Sequence, residues 1–132
     1  MIGIDTNVLI RYIVQDDPIQ SPLAGKFIEE NCTKANPGFV SHIVLCELAW
    51  VLKRAYGCSK KVIVDVISQI LSTAELRVEK SQCAWLALRE FQSGMGGYSD
   101  YLIGVSHRQE GGAHTVTFDR KAAQSTYFSL LS

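Results

Sequence analysis

Short apolar segments of strand character alternate with segments of helical character along this sequence, and that alternation limits the possible folds more than any other feature. The helical segments carry apolar residues three and four positions apart, as one buried helix face requires. Parallel strands need helical crossovers between them, so the alternation predicts a parallel sheet with helices on both faces. The predicted strands are 1–4, 39–40, 75–79, 113–118 and 127–128.

Residues that commonly begin and end helices mark the boundaries of the helical segments. Ser41 and Ser59 are typical N-caps, and Gly57 is a typical residue after a helix C-terminus. The predicted helices are one through Leu9, Ile10 and Ile13, then 19–31, 42–56, 60–72, one beginning at Ser81, 98–109 and a short one capped by Asp119.

Composition places the chain among soluble globular proteins. Hydrophobic residues make up 47% and charged residues 20% of the 132 residues, which predicts a single domain over 1–132. Thirteen basic residues balance thirteen acidic ones, so the chain as a whole does not attract nucleic acid. A nucleic-acid substrate would therefore have to be held by local clusters of basic residues.

The cysteines, the histidines and the N-terminal segment indicate the compartment and exclude one kind of metal site. Neither the four cysteines nor the three histidines have the spacing of zinc ligands, and free thiols suit a reducing compartment. The first residues lack the basic start of a signal peptide, and no apolar run is long enough to span a bilayer. We therefore expect a cytoplasmic protein.

Four acidic residues stand in apolar segments, whereas most of the others stand at helix ends, in turns or on polar faces. Asp5 and Asp119 directly follow predicted strands, and ligands of parallel sheets bind beyond the carboxyl ends of strands. Glu47 has apolar neighbours on its own helix face, and Asp100 lies in a first helical turn. We expect these four carboxylates to be shielded from water.

Shielded carboxylates need a partner, and the sequence places no obvious cation beside each of the four. A carboxylate in apolar surroundings is unfavourable unless it is paired, hydrogen-bonded or metal-bound. Carboxylate oxygens are ligands that suit Mg²⁺ or Mn²⁺, and these ions serve the hydrolysis of phosphodiesters. The four acids together therefore predict a metal-dependent phosphodiesterase.

Each acid taken alone also has a purely structural interpretation. Asp5 and Asp119 are common helix N-caps, and Asp100 can complement a helix dipole. Glu47 can instead belong to a structural ion pair. The cations available for that pair are Lys53, Arg54 and Arg11.

The segments around the four acids resemble those of PIN-domain proteins, specifically VapC-type toxin ribonucleases. In chain order they are IDTNVLIRYIVQDDP, CELAWVLKRAYG, YSDYLIGVSHRQEGG and TVTFDRKAA. Their order and spacing extend over nearly the whole chain. All four segments together are therefore a far more specific signal than D-T-N-V alone.

The resemblance implies a fold, a reaction and partners. The fold would be a three-layer α/β/α sandwich with a short central parallel sheet. Asp5, Glu47, Asp100 and Asp119 would gather around one or two Mg²⁺ or Mn²⁺ ions as catalytic and metal-binding residues. The substrate would be RNA, usually tRNA or rRNA, cut by water. A homodimer and a small antitoxin that blocks the site are also implied.

Further residues are candidates for supporting the acids or holding RNA. Asn7 lies two residues after Asp5, where its amide can orient a carboxylate, and Thr6 and Thr117 are weaker candidates for the same role. Trp50 and Trp85 have the spacing of packing or dimer-contact residues, and Tyr98 and Tyr101 can stack on bases. Basic candidates for phosphate binding are Arg11, Lys53, Arg54, Arg120 and Lys121, with Lys60, Lys61 and Arg108; each can also be a solvated helix-end charge.

Three other functions compete with a toxin ribonuclease. A processing nuclease of the same fold would share every motif, and a small upstream antitoxin gene would distinguish the two. A phospho-acceptor signalling domain would need paired acids after the first strand, where Asp5 stands alone. A catalytically inactive binding module is disfavoured because all four acids are present.

Overall fold

Three short parallel strands organise the N-terminal part of the chain. The computed structural model describes all residues, 1–132, in two compact units, Met1–Glu79 and Lys80–Ser132. In the first unit the strands pair in the order β1-β2-β3, with Gly38 of β2 opposite Ile2 and Leu76. Its elements are β1 (Ile2–Gly3), α1 (Thr6–Val14), α2 (Gln20–Asn31), β2 (Gly38–Val40), α3 (His42–Arg54), α4 (Lys60–Leu71) and β3 (Leu76–Val78).

Local side-chain caps explain where the helices of the first unit begin. Ser41 Oγ accepts the Val44 N–H at 3.2 Å at the start of α3, and Ser59 Oγ accepts the Val62 N–H at 3.3 Å at the start of α4. Gly57 adopts a φ of 63°, which suits glycine, just after α3. The predicted caps are thereby confirmed, and the pairing of β1, β2 and β3 confirms the predicted parallel sheet.

The core of the first unit is aliphatic and lies between the sheet and the inner faces of its helices. Strand β2 contributes Val40, whose side chain is fully buried. The helices contribute one apolar stripe each, because residues three and four apart share a face. The fully buried aliphatic side chains from the helices include Leu9, Leu45, Leu48 and Ile67.

The second unit packs two helices together and adds a pair of parallel strands. Its elements are α5 (Ser81–Ser93), α6 (Tyr98–Gln109), β4 (Thr115–Thr117), a 3₁₀ turn (Ala122–Gln124) and β5 (Phe128–Leu130). Strand β4 pairs with β5 in parallel. Phe91 and Tyr98 meet edge to face between the helices, with ring centroids 6.0 Å apart. Gly104 lets Phe128 approach α6, because a Cβ there would lie only 2.7 Å from its ring.

Element order matches the sequence prediction closely, whereas several predicted core positions are wrong. The helical spacing of Leu23, Phe27 and Val62 predicts that they face the core, but all three are exposed. Trp50 and Trp85 are exposed as well, so neither tryptophan packs in the core of the chain. Helical spacing identifies residues that share a face, but it does not show that another element covers that face. The single domain over 1–132 and the dimer contacts stay predictions.

None of the six α-helices is long and apolar enough to cross a membrane.

Candidate active site

Asp5 and Glu47, 42 positions apart in the sequence, are joined through Thr6. Asp5 ends the β1 segment in an extended conformation, and its Oδ1 accepts the Thr6 N–H at 2.9 Å as the N-cap of α1. The Thr6 hydroxyl donates to Glu47 Oε1 of α3 at 2.8 Å. Thr6 itself is only 6% exposed. The buried threonine therefore holds one carboxylate through its backbone and the other through its side chain.

Glu47 lies on the outer face of α3 and forms no ion pair. The ion pairs Arg11–Asp16 and Lys80–Glu110 do not involve Glu47. Arg11, a proposed partner of Glu47, instead donates to Gln20 at 2.8 Å and to Asp16 at 3.3 Å. The alternative in which Glu47 belongs to a structural ion pair is therefore not what the structure shows.

Arg11 also reaches the hydroxyl of Tyr56, at 3.2 Å, just beyond the end of α3. Burial, assisted by the nearby carboxylate of Asp16, raises the pKa of Tyr56 above its ordinary value. Arg11 thus ties together α1, the start of α2 and the segment after α3. The guanidinium N–H groups of Arg11 hold these segments together. Binding of RNA by Arg11 stays a prediction.

Asp100 lies in the first turn of α6 and caps that helix. Its Oδ2 accepts the Gly97 N–H at 3.0 Å, which stabilises the start of the helix. The tyrosines on either side fix this turn: the Tyr98 hydroxyl donates to Ala84 O at 3.0 Å, and the Tyr101 hydroxyl accepts the Gly96 N–H at 2.9 Å. Both tyrosines are buried, so the half-buried Asp100 is held on a rigid support.

Asp119 follows β4 and organises the turn that comes next. Its Oδ1 accepts the N–H groups of Lys121 at 2.8 Å and Ala122 at 3.2 Å. Thr117 Oγ1 accepts the Asp119 N–H at 3.0 Å and thus contacts its backbone rather than its carboxylate. Asp119 therefore caps the turn that leads into the 3₁₀ segment Ala122–Gln124, whose own N-cap position is Lys121, and the predicted short α-helix after Asp119 is not formed.

Water reaches the four acids, contrary to the expectation that they are shielded. Asp5, Glu47 and Asp119 are exposed, and Asp100 is half-buried. The positions just after a strand project from the sheet edge. The apolar neighbours of Glu47 at helical spacing, Ile43 and Trp50, are themselves exposed. The adjacency of apolar residues in the sequence was therefore a poor guide to burial.

Each of the four carboxylates keeps one oxygen free of hydrogen bonds from the protein. The bonds described above occupy Oδ1 of Asp5 and Asp119, Oδ2 of Asp100 and Oε1 of Glu47. Neither unit by itself gathers three acidic, histidine or cysteine side chains around one point. Water-accessible carboxylate oxygens are nevertheless the donors that Mg²⁺ and Mn²⁺ prefer, so the residue types fit such an ion.

The other predicted site residues include side chains with a structural role and side chains that are exposed to solvent. Asn7 is exposed and makes no hydrogen bond, so its orienting role stays a prediction. Arg108 donates to Thr126 O at 2.7 Å and lies 4.0 Å over the Tyr127 ring, which is a structural role. The side chains that face solvent are Lys53, Arg54, Lys60, Lys61, Arg120 and Lys121.

An apolar groove beside Asp5 escaped the sequence prediction. It lies between α1 and α2, has a volume of about 480 Å³, and is lined by Leu23, Phe27 and Asn7 among others. The helical periodicity of α2 predicts a buried face that contains Leu23 and Phe27, and it does not predict a groove. Only the packing of α2 against α1 shows that these side chains line an open groove.

Comparison with known proteins identifies the family. Residues 2–126 match the PIN domain family. The chain belongs to the PIN domain family. This PIN domain is similar to a VapC ribonuclease of Aquifex aeolicus (strain VF5), with 25% identity over 118 residues that cover 89% of this chain and 87% of that protein. No solved structure matches the chain significantly. The family and its α/β fold class, predicted from four short segments, are confirmed.

Proposed function

We propose that this PIN domain is a Mg²⁺- or Mn²⁺-dependent endoribonuclease and the toxin of a toxin–antitoxin pair. The observation that carries the proposal is the Asp5–Thr6–Glu47 connection, which holds two water-accessible carboxylates together without a cationic side chain. The similarity to a VapC ribonuclease supports RNA as the substrate class. We assign Asp5, Glu47, Asp100 and Asp119 as the catalytic and metal-binding residues.

The residues of the chain would divide the work of hydrolysis as follows. A divalent ion held by these carboxylates would supply positive charge for the phosphoryl oxygens and would activate water. Asp5 and Glu47 provide oxygen ligands, and Thr6 fixes the Glu47 carboxylate so that its free oxygen keeps one direction. Asp100 and Asp119 present their free oxygens from rigid helix-start and turn positions.

Replacement of Asp5 by asparagine tests this assignment. Asp5→Asn keeps an oxygen that can accept the Thr6 N–H, so the cap of α1 remains. It removes one negative charge near Glu47, so the stability of the metal-free protein should stay the same or rise. RNA cleavage should be abolished, and the stabilisation by Mg²⁺ in thermal melts should fall.

Asp65→Asn is the matched control, because Asp65 is an exposed acid on α4 in the same unit. Wild type, both variants and chelator-treated samples would be compared for cleavage of purified tRNA and rRNA and for melting temperature. Cleavage by the Asp5 variant at the wild-type rate would overturn the site assignment. Equal Mg²⁺ stabilisation of wild type and the Asp5 variant would overturn the metal assignment.

The antitoxin is the second part of the proposal. The α1–α2 groove supplies an apolar surface of the kind that peptides bind, and its lining includes Asp5, so a peptide seated there would cover that carboxylate. Leu23 is 63% exposed in this groove, so Leu23→Asp should leave the fold intact and weaken co-purification with the protein encoded beside this one. The same experiment separates a toxin from a processing nuclease, since the latter has no such partner. Homodimer formation stays a prediction for sedimentation analysis.

A further inference from the structure

One narrow stripe along the outer face of α3 combines an acid, an aromatic ring and a cation. Its members, here called the α3 stripe, are Ile43, Glu47, Trp50 and Arg54. At about 100° per residue these positions lie within about 60° of one another on the helix surface. Ile43 is 72% and Trp50 63% exposed, and Glu47 and Arg54 are also exposed. The opposite face of α3 is buried, so the stripe is the side of this helix that a ligand can reach.

Trp50 is the neighbour of Glu47 on this stripe. Side chains three positions apart on a helix are about 5–6 Å apart at their Cβ atoms. An indole ring that is largely exposed and adjacent to the acid presents a flat aromatic face to whatever approaches Glu47. Stacking of bases on aromatic side chains is a common way in which proteins hold single-stranded nucleic acid.

Arg54 continues the stripe on the far side of Trp50. It lies seven residues after Glu47, which at about 1.5 Å per residue is on the order of 10 Å along the axis. The ion pairs of the chain involve other residues, so neither Arg54 nor the adjacent Lys53 is neutralised by an internal carboxylate. At that separation a phosphate on Arg54 belongs to a neighbouring nucleotide rather than to the bond next to Glu47.

The position of the cations favours a polyanion over another protein as the occupant of the stripe. Tryptophan and arginine occur in both kinds of interface, but Arg54 and the adjacent Lys53 form no ion pair and lie beside Glu47, the acid proposed to act on a phosphodiester. The chain has no net charge, so any attraction for RNA must come from a local feature of this kind.

We infer that the α3 stripe is a binding site for single-stranded RNA, in which a base stacks on Trp50 and a neighbouring phosphate binds Arg54. The RNA chain then extends from Asp5 and Glu47 toward the C-terminal end of α3. This inference rests on the proposed nuclease function for its choice of RNA, and it adds the residues that hold the substrate beside the cleaved bond.

The two tryptophans of the chain permit a direct test, because each can be made the only one. Trp85→Phe leaves Trp50 as the sole indole, and Trp50→Phe leaves Trp85, which is 41% exposed on α5. Both would carry Asp5→Asn and be kept in chelator, so that the RNA stays intact. The probes are a short oligouridylate and an abasic oligonucleotide of equal length.

The oligouridylate should quench the fluorescence of the protein that retains Trp50 and leave that of the protein that retains Trp85 unchanged. The abasic oligonucleotide should bind without this quenching. Trp50→Ala should weaken binding of oligouridylate by roughly 5- to 100-fold, as the loss of one stacked base does, and Trp85→Ala should not. Arg54→Gln should weaken binding of both probes and reduce the salt dependence of their affinity by about one contact.

Unchanged affinity in Trp50→Ala, or quenching confined to Trp85, would overturn the inference. So would a result in which Trp50→Ala dissociates a dimer in sedimentation without changing RNA affinity, because the stripe would then be a contact between copies. Other outcomes distinguish a failure of the proposed nuclease function from a failure of the binding site. If Trp50 is quenched by RNA but the wild type with Mg²⁺ cleaves none, the nuclease assignment is wrong and the binding site stands. If the wild type and Trp50→Ala cleave with the same KM, only the binding site is wrong.

Discussion

Replacement of Thr6 by valine is the sharpest perturbation that this structure offers. Valine has nearly the same shape as threonine but carries a methyl group in place of the hydroxyl. The Thr6 backbone N–H still binds Asp5, so the change removes only the 2.8 Å hydrogen bond to Glu47. Because Thr6 is 6% exposed and a methyl group is about as large as a hydroxyl, the substitution leaves no cavity, and its effect comes from the lost hydroxyl.

The expected loss of stability is small and the expected loss of activity is large. A hydrogen bond to a charged group contributes about 1.5–3 kcal/mol, but Glu47 is exposed and water can replace the lost donor, so the free energy of unfolding should fall by about 0.5–1.5 kcal/mol. The carboxylate, however, loses the group that fixes its direction. Removal of a residue that orients a metal ligand typically costs roughly 10- to 100-fold in activity or metal affinity. That loss corresponds to about 1.4–2.7 kcal/mol in the transition state.

Urea denaturation would give the stability term, and kcat/KM for RNA cleavage at several Mg²⁺ concentrations would give the activity term. Thr6→Ser is the matched control, because serine retains the hydroxyl donor and should keep activity within a few-fold of wild type. If Thr6→Val cleaves RNA with wild-type kcat/KM and the same Mg²⁺ dependence, the hydrogen bond does not position Glu47. The central geometric argument would then be refuted.

Three further substitutions and one titration test local features of the fold. Gly94→Ala should lower the free energy of unfolding by about 1–3 kcal/mol, because its Cβ would overlap the Tyr101 hydroxyl; a wild-type urea midpoint would contradict this. Gly25→Ala meets no atom within 4 Å on α2 and should raise that free energy by about 0.5–1 kcal/mol; a lowered midpoint would argue against free space there. Two N–H groups at the start of α2 lower the pKa of Asp17 below 3.8. The stability that the Asp17 carboxylate contributes is therefore present above pH 3.8 and is lost as pH falls through the folded-state pKa; an NMR titration that gives a pKa of 3.8 or more would exclude these hydrogen bonds. Burial raises the pKa of Tyr56, so the stability that its neutral hydroxyl contributes is present below pH 10 and is lost as pH rises through the folded-state pKa. Tyr56→Phe should remove this loss of stability at alkaline pH, and an unchanged dependence of stability on pH would contradict it.

The fold could be predicted well because its signals are local. Helix boundaries follow from caps such as Ser41 and Ser59, which bond to backbone groups three residues away. Strand positions follow from short apolar segments between those helices, and the parallel pairing follows from the crossovers. Each of these signals depends on neighbours in the sequence and is therefore readable from it.

Burial could be predicted much less well. The periodicity of α3 shows which residues share a helix face. It does not show that the face with Ile43 and Trp50 is exposed to solvent. Leu23 and Phe27 share a helix face with core residues and line a groove instead. Whether a face is covered depends on the position of other elements, which periodicity within one helix does not contain.

The sequence by itself determined the identity and order of the four acids, the alternation of strands and helices, and the resemblance to the PIN domain family. Only the tertiary structure decided that Thr6 rather than Asn7 contacts Glu47, and that Arg11 is engaged with Asp16, Gln20 and Tyr56. The physical reason is that hydrogen bonds between distant segments depend on how α1 packs against α3. Differences of a few tenths of an ångström in the donor–acceptor distance, and the angle at the hydrogen, decide which donor bonds to which acceptor. No local pattern in the sequence specifies these quantities.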